Sequence, residues 1–373
     1  MELYIDRDAF LSGLGRVQGI VERRNTPNPI LSHVLLEASE GRLRLTATDT
    51  ELAFIGDFPA NVITPGEIAV DAQSLFQIAK VLPDQTAHLK LGAQMRLEVT
   101  SGSAWYKVVG LPAADFPSLP DFDGRSSVQL PAERLRWLIE QTGFVVCQDD
   151  NRWGINGGHL EVVEDEAGVS QLRMVATDGH RLSYAQASYE GEFGMPERML
   201  VPRKALAEIK KLCSRDDEEI DISFGESAAL VTTSSARFYF RLIDGEFPDY
   251  RQVIPTSWQR RAFVHKDQLV SALKRVAVLA QDRGRPVRFA FADGSVTISS
   301  SHTDLGEARE EVPIELEGDA LDIGFNIRYY QEVLQAARSE KVIIELGDAL
   351  SPALMREPDD DDALLIVMPM RLD

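Results

Sequence analysis

A chain of 373 residues exceeds one ordinary hydrophobic core and suits two or three domains of roughly 100–150 residues. Its composition, 44% hydrophobic and 26% charged, is that of a soluble globular protein, and no apolar run approaches the roughly 20 residues that span a bilayer. The net charge of −20 excludes a uniformly basic nucleic-acid binder, so any such contact has to come from a local concentration of Lys and Arg.

The first residues, Met1-Glu-Leu-Tyr-Ile-Asp6, lack a basic region followed by an apolar one, so no signal peptide is expected and the cytoplasm is the expected location. Residues 2–5 alternate as a strand, and Phe10, Leu11, Leu14, Val17 and Val21 then recur at helical spacing. A strand over 43–49 closes in a polar turn, a second helix is expected over 72–82, and a strand begins near Ala87. The plan returns with a strand over 127–130 and the helical pattern Leu135, Leu138, Ile139. Next comes a strand over 172–176, a tight turn at Thr177-Asp178-Gly179 and a second extended piece over 181–185. Asp-Gly is turn chemistry, because Gly accepts positive φ and the Asp side chain bonds nearby backbone N–H groups. A helix over 203–212 and a strand near Ile220 complete this copy.

A third copy opens with a strand over 262–264 and the pattern Leu269, Leu273, Val276, Ala280. Residues 296–304 supply its strand and turn, 327–337 its second helix, and a strand follows near Val342. The turn residues Asp49, Asp178 and Asp304 are spaced by 129 and 126 positions, about a third of the chain. The first two copies also end alike, in Asp-Phe-Pro117 and Glu-Phe-Pro248, where the prolines favour extended linkers. The expectation is three similar α+β domains, 1–122, 123–256 and 257–373, each a duplicated strand-helix-strands unit. The last residues, 367–372, are expected to offer an apolar strand to the central turn.

Charge is unevenly placed. The helical segments 7–24, 71–82, 131–144, 202–215, 266–285 and 326–341 hold 20 Lys or Arg and 10 Asp or Glu, a net of +10 that leaves −30 for the other 279 residues. In the fourth segment Lys204, Lys211 and Arg215 share a face opposite Leu206, Ile209 and Leu212. Any one charged helix face is ordinarily just solvated. Six of one sign point to a basic track inside an acidic shell, where an anionic polymer is held and elsewhere repelled.

Enzyme chemistry finds little purchase. Asp178 and His180 have no accompanying nucleophile motif, Ser271-Ala-Leu-Lys274 lies mid-helix without its companion motifs, and the Gly13–Gly15 spacing misses the dinucleotide fingerprint. No phosphate-binding loop is present, the six histidines show no ligand spacing, and residues 359–362 read as a solvated acidic loop, so no cofactor or metal is expected. Cys147 and Cys213 form no disulfide or metal pattern and are expected as buried thiols.

At full length the chain resembles the bacterial DNA polymerase III beta subunit, the beta sliding clamp family. The resemblance rests on Thr177-Asp-Gly-His-Arg-Leu182, Leu111-Pro-Ala-Ala-Asp-Phe-Pro117, Asp244-Gly-Glu-Phe-Pro-Asp-Tyr-Arg251, Val201-Pro-Arg-Lys204 and Val367-Met-Pro-Met-Arg-Leu372. It implies a non-catalytic processivity factor: a head-to-tail homodimer of three-domain chains, forming a ring with helices inside, sheets outside and duplex DNA encircled without sequence preference. The replicative polymerase, the clamp loader and other proteins with a clamp-binding motif are the implied partners. Their apolar-anchored peptide would enter a pocket formed by Ile155, Thr177, Gly179, His180, Arg181, Leu182, Pro248, Val253, Leu350, Pro352, Ile366, Val367, Met368, Pro369, Met370 and Arg371. Implied DNA contacts are Arg24, Arg152, Trp153, Arg203 and Lys204, with Gln73, Asp149 and Gly154 as weaker candidates. The implied dimer contact sets Arg96, Trp105, Tyr106 and Lys107 against Val278, Leu279, Glu307, Glu310 and Glu311.

Three departures from the family pattern bear on which peptide or inhibitor binds: Gln252 where a basic residue is common, Pro352 where serine is common, and the added Asp373. Two other readings stay open, an interaction scaffold that never meets DNA and an inhibitor-resistant paralogue within the family.

Overall fold

The structure is a computed structural model that describes residues 1–22, 27–119, 122, 124, 126–149, 151–152, 154–164, 168–188, 198–214, 218–281 and 285–372, without the side chains of Ser126 and Arg198. Among the described residues six α-helices form: α1 (Arg7–Val17), α2 (Ala72–Val81), α3 (Ala132–Thr142), α4 (Arg203–Leu212), α5 (Lys266–Val276) and α6 (Ile327–Ala336). Each begins on the residue after a short strand. Asp6, Asp71 and Asn326 end their strands and accept a first-turn N–H of α1, α2 and α6, which satisfies a donor that the helix itself leaves open. The apolar spacing read from the sequence is buried as expected: Phe10, Leu14 and Val17 in α1, and Leu269, Leu273 and Val276 in α5.

α1 ends at Val17, well short of the expected 24. Gln18 turns its side-chain amide onto the carbonyls of Leu14 (3.3 Å) and Ala72 (3.0 Å). Gly19 follows, where a Cβ would stand 1.8 Å from the Glu208 carboxylate. Past Val17 the chain runs close beside that carboxylate, at a position where only a glycine leaves room. As bounded, the six helices carry thirteen Lys or Arg and six Asp or Glu, so the cationic bias persists with a smaller excess.

The strands form two twelve-stranded antiparallel sheets, each inside one of two compact units. The first unit comprises residues 1–136, 192–196 and 204–242, the second 137–191, 197–203 and 243–373. In the first, Leu52–Thr64 pairs with Ala236–Arg241; in the second, Arg181–Ser188 pairs with Asp360–Val367. The middle third of the chain thus gives four strands to each sheet, and its hydrogen-bond ladders run on into strands of a neighbouring third.

The repeat is visible atom by atom. Thr48 Oγ1 donates to the Leu52 carbonyl at 2.8 Å while Asp49 Oδ1 accepts from the N–H groups of Glu51 and Leu52. Thr177 Oγ1 donates to the Arg181 carbonyl at 2.7 Å while Asp178 Oδ1 accepts from His180 and Arg181. The third copy differs: His302 Nδ1, not an aspartate, accepts from the turn at Asp304 N.

Two sequence expectations need correction. The acidic stretch is not a loop, since Asp360–Asp362 already belong to the strand Asp360–Val367, where Asp360 Oδ1 caps the turn by accepting from Asp362 N. The apolar strand beside the central turn is this same strand, with Val367 as its last residue rather than its first. Residues 368–372 leave it, pinned by Met368 N to the His180 carbonyl (2.9 Å) and Met370 N to the Gly324 carbonyl (2.8 Å). Short 3-10 turns, Ala113–Asp115 and Tyr250–Val253, also interrupt the segments expected to be extended.

Candidate functional site

The hairpin turn between Ser170–Thr177 and Arg181–Ser188 organises a concave site in the second unit. Gly179 takes φ +88°, a region that costs a side-chain-bearing residue about 1–2 kcal/mol. Arg181 is only 6% exposed, yet charged: Nε donates to Asp178 Oδ2 (3.0 Å), Nη2 pairs with Glu332 (2.6 Å), and the guanidinium lies over the Tyr329 ring at 4.6 Å. Burying a charge is tolerable only with such partners. Its Nη1 has no partner among the described residues.

An apolar cavity of about 240 Å³ opens here, lined by Arg152, Ile155, Thr177, Gly179, Arg181, Leu182, Pro248, Asp249, Tyr250, Val253, Ile366 and Met368. Its floor is a small buried cluster of Val175, Leu182, Tyr250 and Ile366. The 3-10 turn Tyr250–Val253 is begun by Asp249, whose Oδ1 accepts from Arg251 N. Gln252 lies outside the cavity and donates to Asp249 Oδ2 at 3.1 Å.

Nine of the residues expected at a peptide pocket meet in this cavity. Seven do not. Val367 is buried in the core around α5 and α6, because strand alternation turns it away from Ile366 and Met368. His180 is exposed and stacks on Tyr329, with ring centroids 6.0 Å apart. Leu350 is 68% exposed on a turn held by Asp348, and Pro352 follows it. Pro369 and Met370 run toward Gly324. Arg371 lines a separate concavity of about 970 Å³ with Arg288, Ser299, Arg309 and Asp322.

Arg152, Asp249 and Tyr250 are at the cavity without having been assigned there. Arg152, expected among the DNA contacts, donates from Nη1 to the Asp178 carbonyl at 2.7 Å, 26 residues away, and no local pattern announces that. For Asp249 and Tyr250 a signal existed, since the stretch Phe247-Pro-Asp-Tyr250 places an Asx-type turn and an aromatic beside Pro248.

The expected DNA set is dispersed over both units. Arg24 and Trp153 lie outside the described residues. Gln73 is exposed in the first turn of α2, and Arg203 and Lys204 are exposed at the start of α4. The Lys204 ammonium is already engaged, with Asp49 Oδ2 and the Ile20 carbonyl. Asp149 Oδ1 accepts from Asn151 N at 3.0 Å, and Gly154 is buried where a Cβ would stand 2.6 Å from the Glu246 carbonyl.

Trp105, Tyr106, Lys107, Glu307, Glu310 and Glu311 sit on open strand edges, Arg96 on the strand paired beside the first of them, and Val278 and Leu279 in the turn after α5. Among the described residues, Ala104–Leu111 pairs along its length with Arg96–Ser101, but on its other side only through Gly110 and Leu111. In Gly306–Glu317, the stretch from Gly306 to Pro313 likewise has one neighbour among the described residues. Trp105 is 58% exposed, and Val278 is exposed after α5. The expected facing charges are bonded locally: Lys107 to Glu98 at 2.9 Å and Glu310 to Arg275 at 2.6 Å. Arg275 and Glu98 shift accordingly, the guanidinium up through its bond to Glu310 and the carboxyl down through its bond to Lys107. Cys147 and Cys213 are buried, and burial pushes the Cys213 thiol up to about 12.

Three consecutive matches cover the chain: the DNA polymerase III beta subunit N-terminal domain over residues 1–120, its central domain over 129–249 and its C-terminal domain over 251–371. The chain belongs to the DNA polymerase III beta subunit family. It is 37% identical over 375 residues to the beta sliding clamp of Pseudomonas aeruginosa and 35% identical over 377 to that of Caulobacter vibrioides, with all of each chain covered. Among solved structures, the sliding clamp of Bartonella birtlesii bound to griselimycin superposes with a TM-score of 0.93 at 34% identity over both full chains. The beta subunit of Thermotoga maritima gives 0.91 at 26%, again over both full chains. The fold is therefore the three-domain clamp fold of this family, and its function is that of a DNA sliding clamp.

Proposed function

We propose that this chain works as a head-to-tail homodimeric ring of six domains, three per chain over 1–122, 123–256 and 257–373, closed around duplex DNA. The full-length match through three successive clamp domains carries this reading. The two open edges support it, because antiparallel strands with unpaired N–H and C=O groups complete each other at low cost. The cationic excess of the helices supports a sequence-independent hold on phosphates, and the full-length likeness to beta sliding clamps supports a non-catalytic processivity role in the cytoplasm. Among the described residues no metal-holding cluster occurs and no helix is long and apolar enough to cross a membrane.

The cavity at Gly179 is the proposed docking site for short apolar-anchored peptides of the replicative polymerase, the clamp loader and other partners. Its size, apolar floor and charged rim of Arg152 and Asp249 fit two or three side chains of such a segment. Griselimycin, bound by the Bartonella clamp, is a candidate ligand for the same cavity.

The deciding experiment is retention on closed circular DNA. A ring is released when the circle is linearised, whereas a groove binder stays. Retention that survives linearisation overturns the reading.

A further inference from the structure

Tyr250 lines the cavity and is 3% exposed, but its hydroxyl is committed elsewhere. It donates to Glu161 Oε1 at 2.5 Å and accepts from Arg173 Nη1 at 2.8 Å, so both of its hydrogen-bonding directions are fixed. Glu161, on the strand Gly157–Glu164, is itself 5% exposed and does not line the cavity, whose lining residue Tyr250 it bonds. Arg251 Nη2 reaches its two oxygens at 3.1 and 3.3 Å, and His159 Nε2 lies 3.4 Å from Oε2. Phe247 covers the group, stacked on His159 at 5.0 Å and edge-on to Tyr250 at 6.5 Å.

The cluster continues sideways across the sheet. Arg173 Nε and Nη2 donate to Gln186 Oε1 at 3.1 and 2.6 Å, and Gln186 Nε2 donates to Asp362 Oδ1 at 3.4 Å. Glu161, Arg173 and Gln186 are cross-strand partners, so their alignment is set by the register of three adjacent strands. The last member sits on the strand that carries Ile366 into the cavity.

Such a cluster is a poor stabiliser compared with apolar residues of the same volume. What it does supply is geometry: a fully satisfied network holds one arrangement, and here the group held at its end is a wall of the cavity. A wall already fixed before binding lowers the ordering cost that a ligand must overcome.

We propose that Glu161 is a positioning residue of the pocket: through the Tyr250 hydroxyl its buried carboxylate holds the Tyr250 ring as a fixed wall, and so sets the affinity for an apolar-anchored peptide that Glu161 never touches. The inference rests on the peptide-pocket reading given above, and the test separates the two.

The probes are a fluorescein-labelled hexapeptide with leucine and phenylalanine anchors, and griselimycin, titrated into the full-length protein. Glu161→Gln keeps the shape and removes the charge; Tyr250→Phe keeps the ring and removes the hydroxyl. Each is expected to weaken both probes about tenfold, the double variant no further, because all three sever one link of the size of a charge-assisted hydrogen bond. In protein carrying 3-fluorotyrosine, the resonance assigned to position 250 by its loss in Tyr250→Phe should shift or split in Glu161→Gln. A merely structural role would lower the melting temperature and leave affinity and that resonance unmoved, which overturns the proposal. Should Glu161→Gln fail to fold, Tyr250→Phe decides alone. Val253→Asp, inside the cavity, is the control: if it binds both probes like the unaltered protein, the pocket reading is wrong and the inference falls with it. If it alone loses binding, the pocket stands and the positioning role of Glu161 is refuted.

Discussion

Arg152 reaches across the turn onto Gly179: its Nη1 donates to the Asp178 carbonyl at 2.7 Å, and a Cβ on residue 179 would lie 2.7 Å from its Nη2. The missing side chain is what lets a guanidinium from a distant loop close over the turn at the rim of the cavity.

Gly179→Ala is therefore expected to act twice. The φ of +88° costs about 1–2 kcal/mol, and the methyl displaces Arg152 from the rim. Adding Arg152→Ala should remove the clash but not the backbone strain. Peptide affinity in the double variant should then match that of Arg152→Ala alone, while chemical denaturation still shows the stability loss.

A chain ending at Val367 loses Met368 from the cavity wall and the two backbone bonds to His180 and Gly324. Peptide and griselimycin binding should vanish, stability should fall by about 1–3 kcal/mol, and the dimer mass in solution should stay the same. Undiminished peptide binding would refute the pocket.

The Lys204 ammonium is held by Asp49 and the Ile20 carbonyl. Asp49→Asn should release it, tighten non-specific binding to duplex DNA and steepen the salt dependence by about one unit of slope. Lys204→Ala should weaken binding evenly across DNA sequences. Filter binding over a salt series checks both.

Burial alone would raise the Glu161 carboxyl, but hydrogen bonds from His159 and Tyr250 and the charge of Arg251 outweigh it and bring it down to about 2. A depressed carboxyl stabilises the fold above its unfolded value of 4.5, and that contribution is lost as pH falls from there through 2. Burial and the bond to Glu161 push the Tyr250 phenol up to about 12, so its contribution is lost as pH rises from 10 through 12. Urea unfolding between pH 7 and pH 2 should show Glu161→Gln losing less stability toward acid than the unaltered protein, by at most about 3 kcal/mol.

Trp105→Glu is expected to convert dimer to monomer, because it puts a carboxylate on an open edge whose exposed aromatic is the natural contact. Val278→Asp, at the exposed turn that follows α5, should do the same from the other side. Sedimentation at micromolar concentration measures it, and an unshifted dimer in both variants would move the interface elsewhere.

Much of this was legible in the sequence. The 3.6-residue recurrence of Leu269, Leu273 and Val276 marks a helix and its buried face, and Thr-Asp closes the same turn after Thr48 and after Thr177. The cavity was only partly so. Successive strand residues face opposite ways, so Val367, between Ile366 and Met368 in sequence, lies in another core. Arg152 gives no local sign of its reach to Asp178, nor Tyr250 of its bond to Glu161, 89 residues before it.

The sequence by itself determined the helices apart from their ends, their threefold recurrence, the buried faces and the family, because these follow from local periodicity and from motifs that need no partner. Only the tertiary structure decided which residues meet at the cavity and which charges are already spoken for. Those depend on strand register and on side chains brought within about 3 Å across tens of residues of chain, distances over which the order of amino acids leaves no pattern to read.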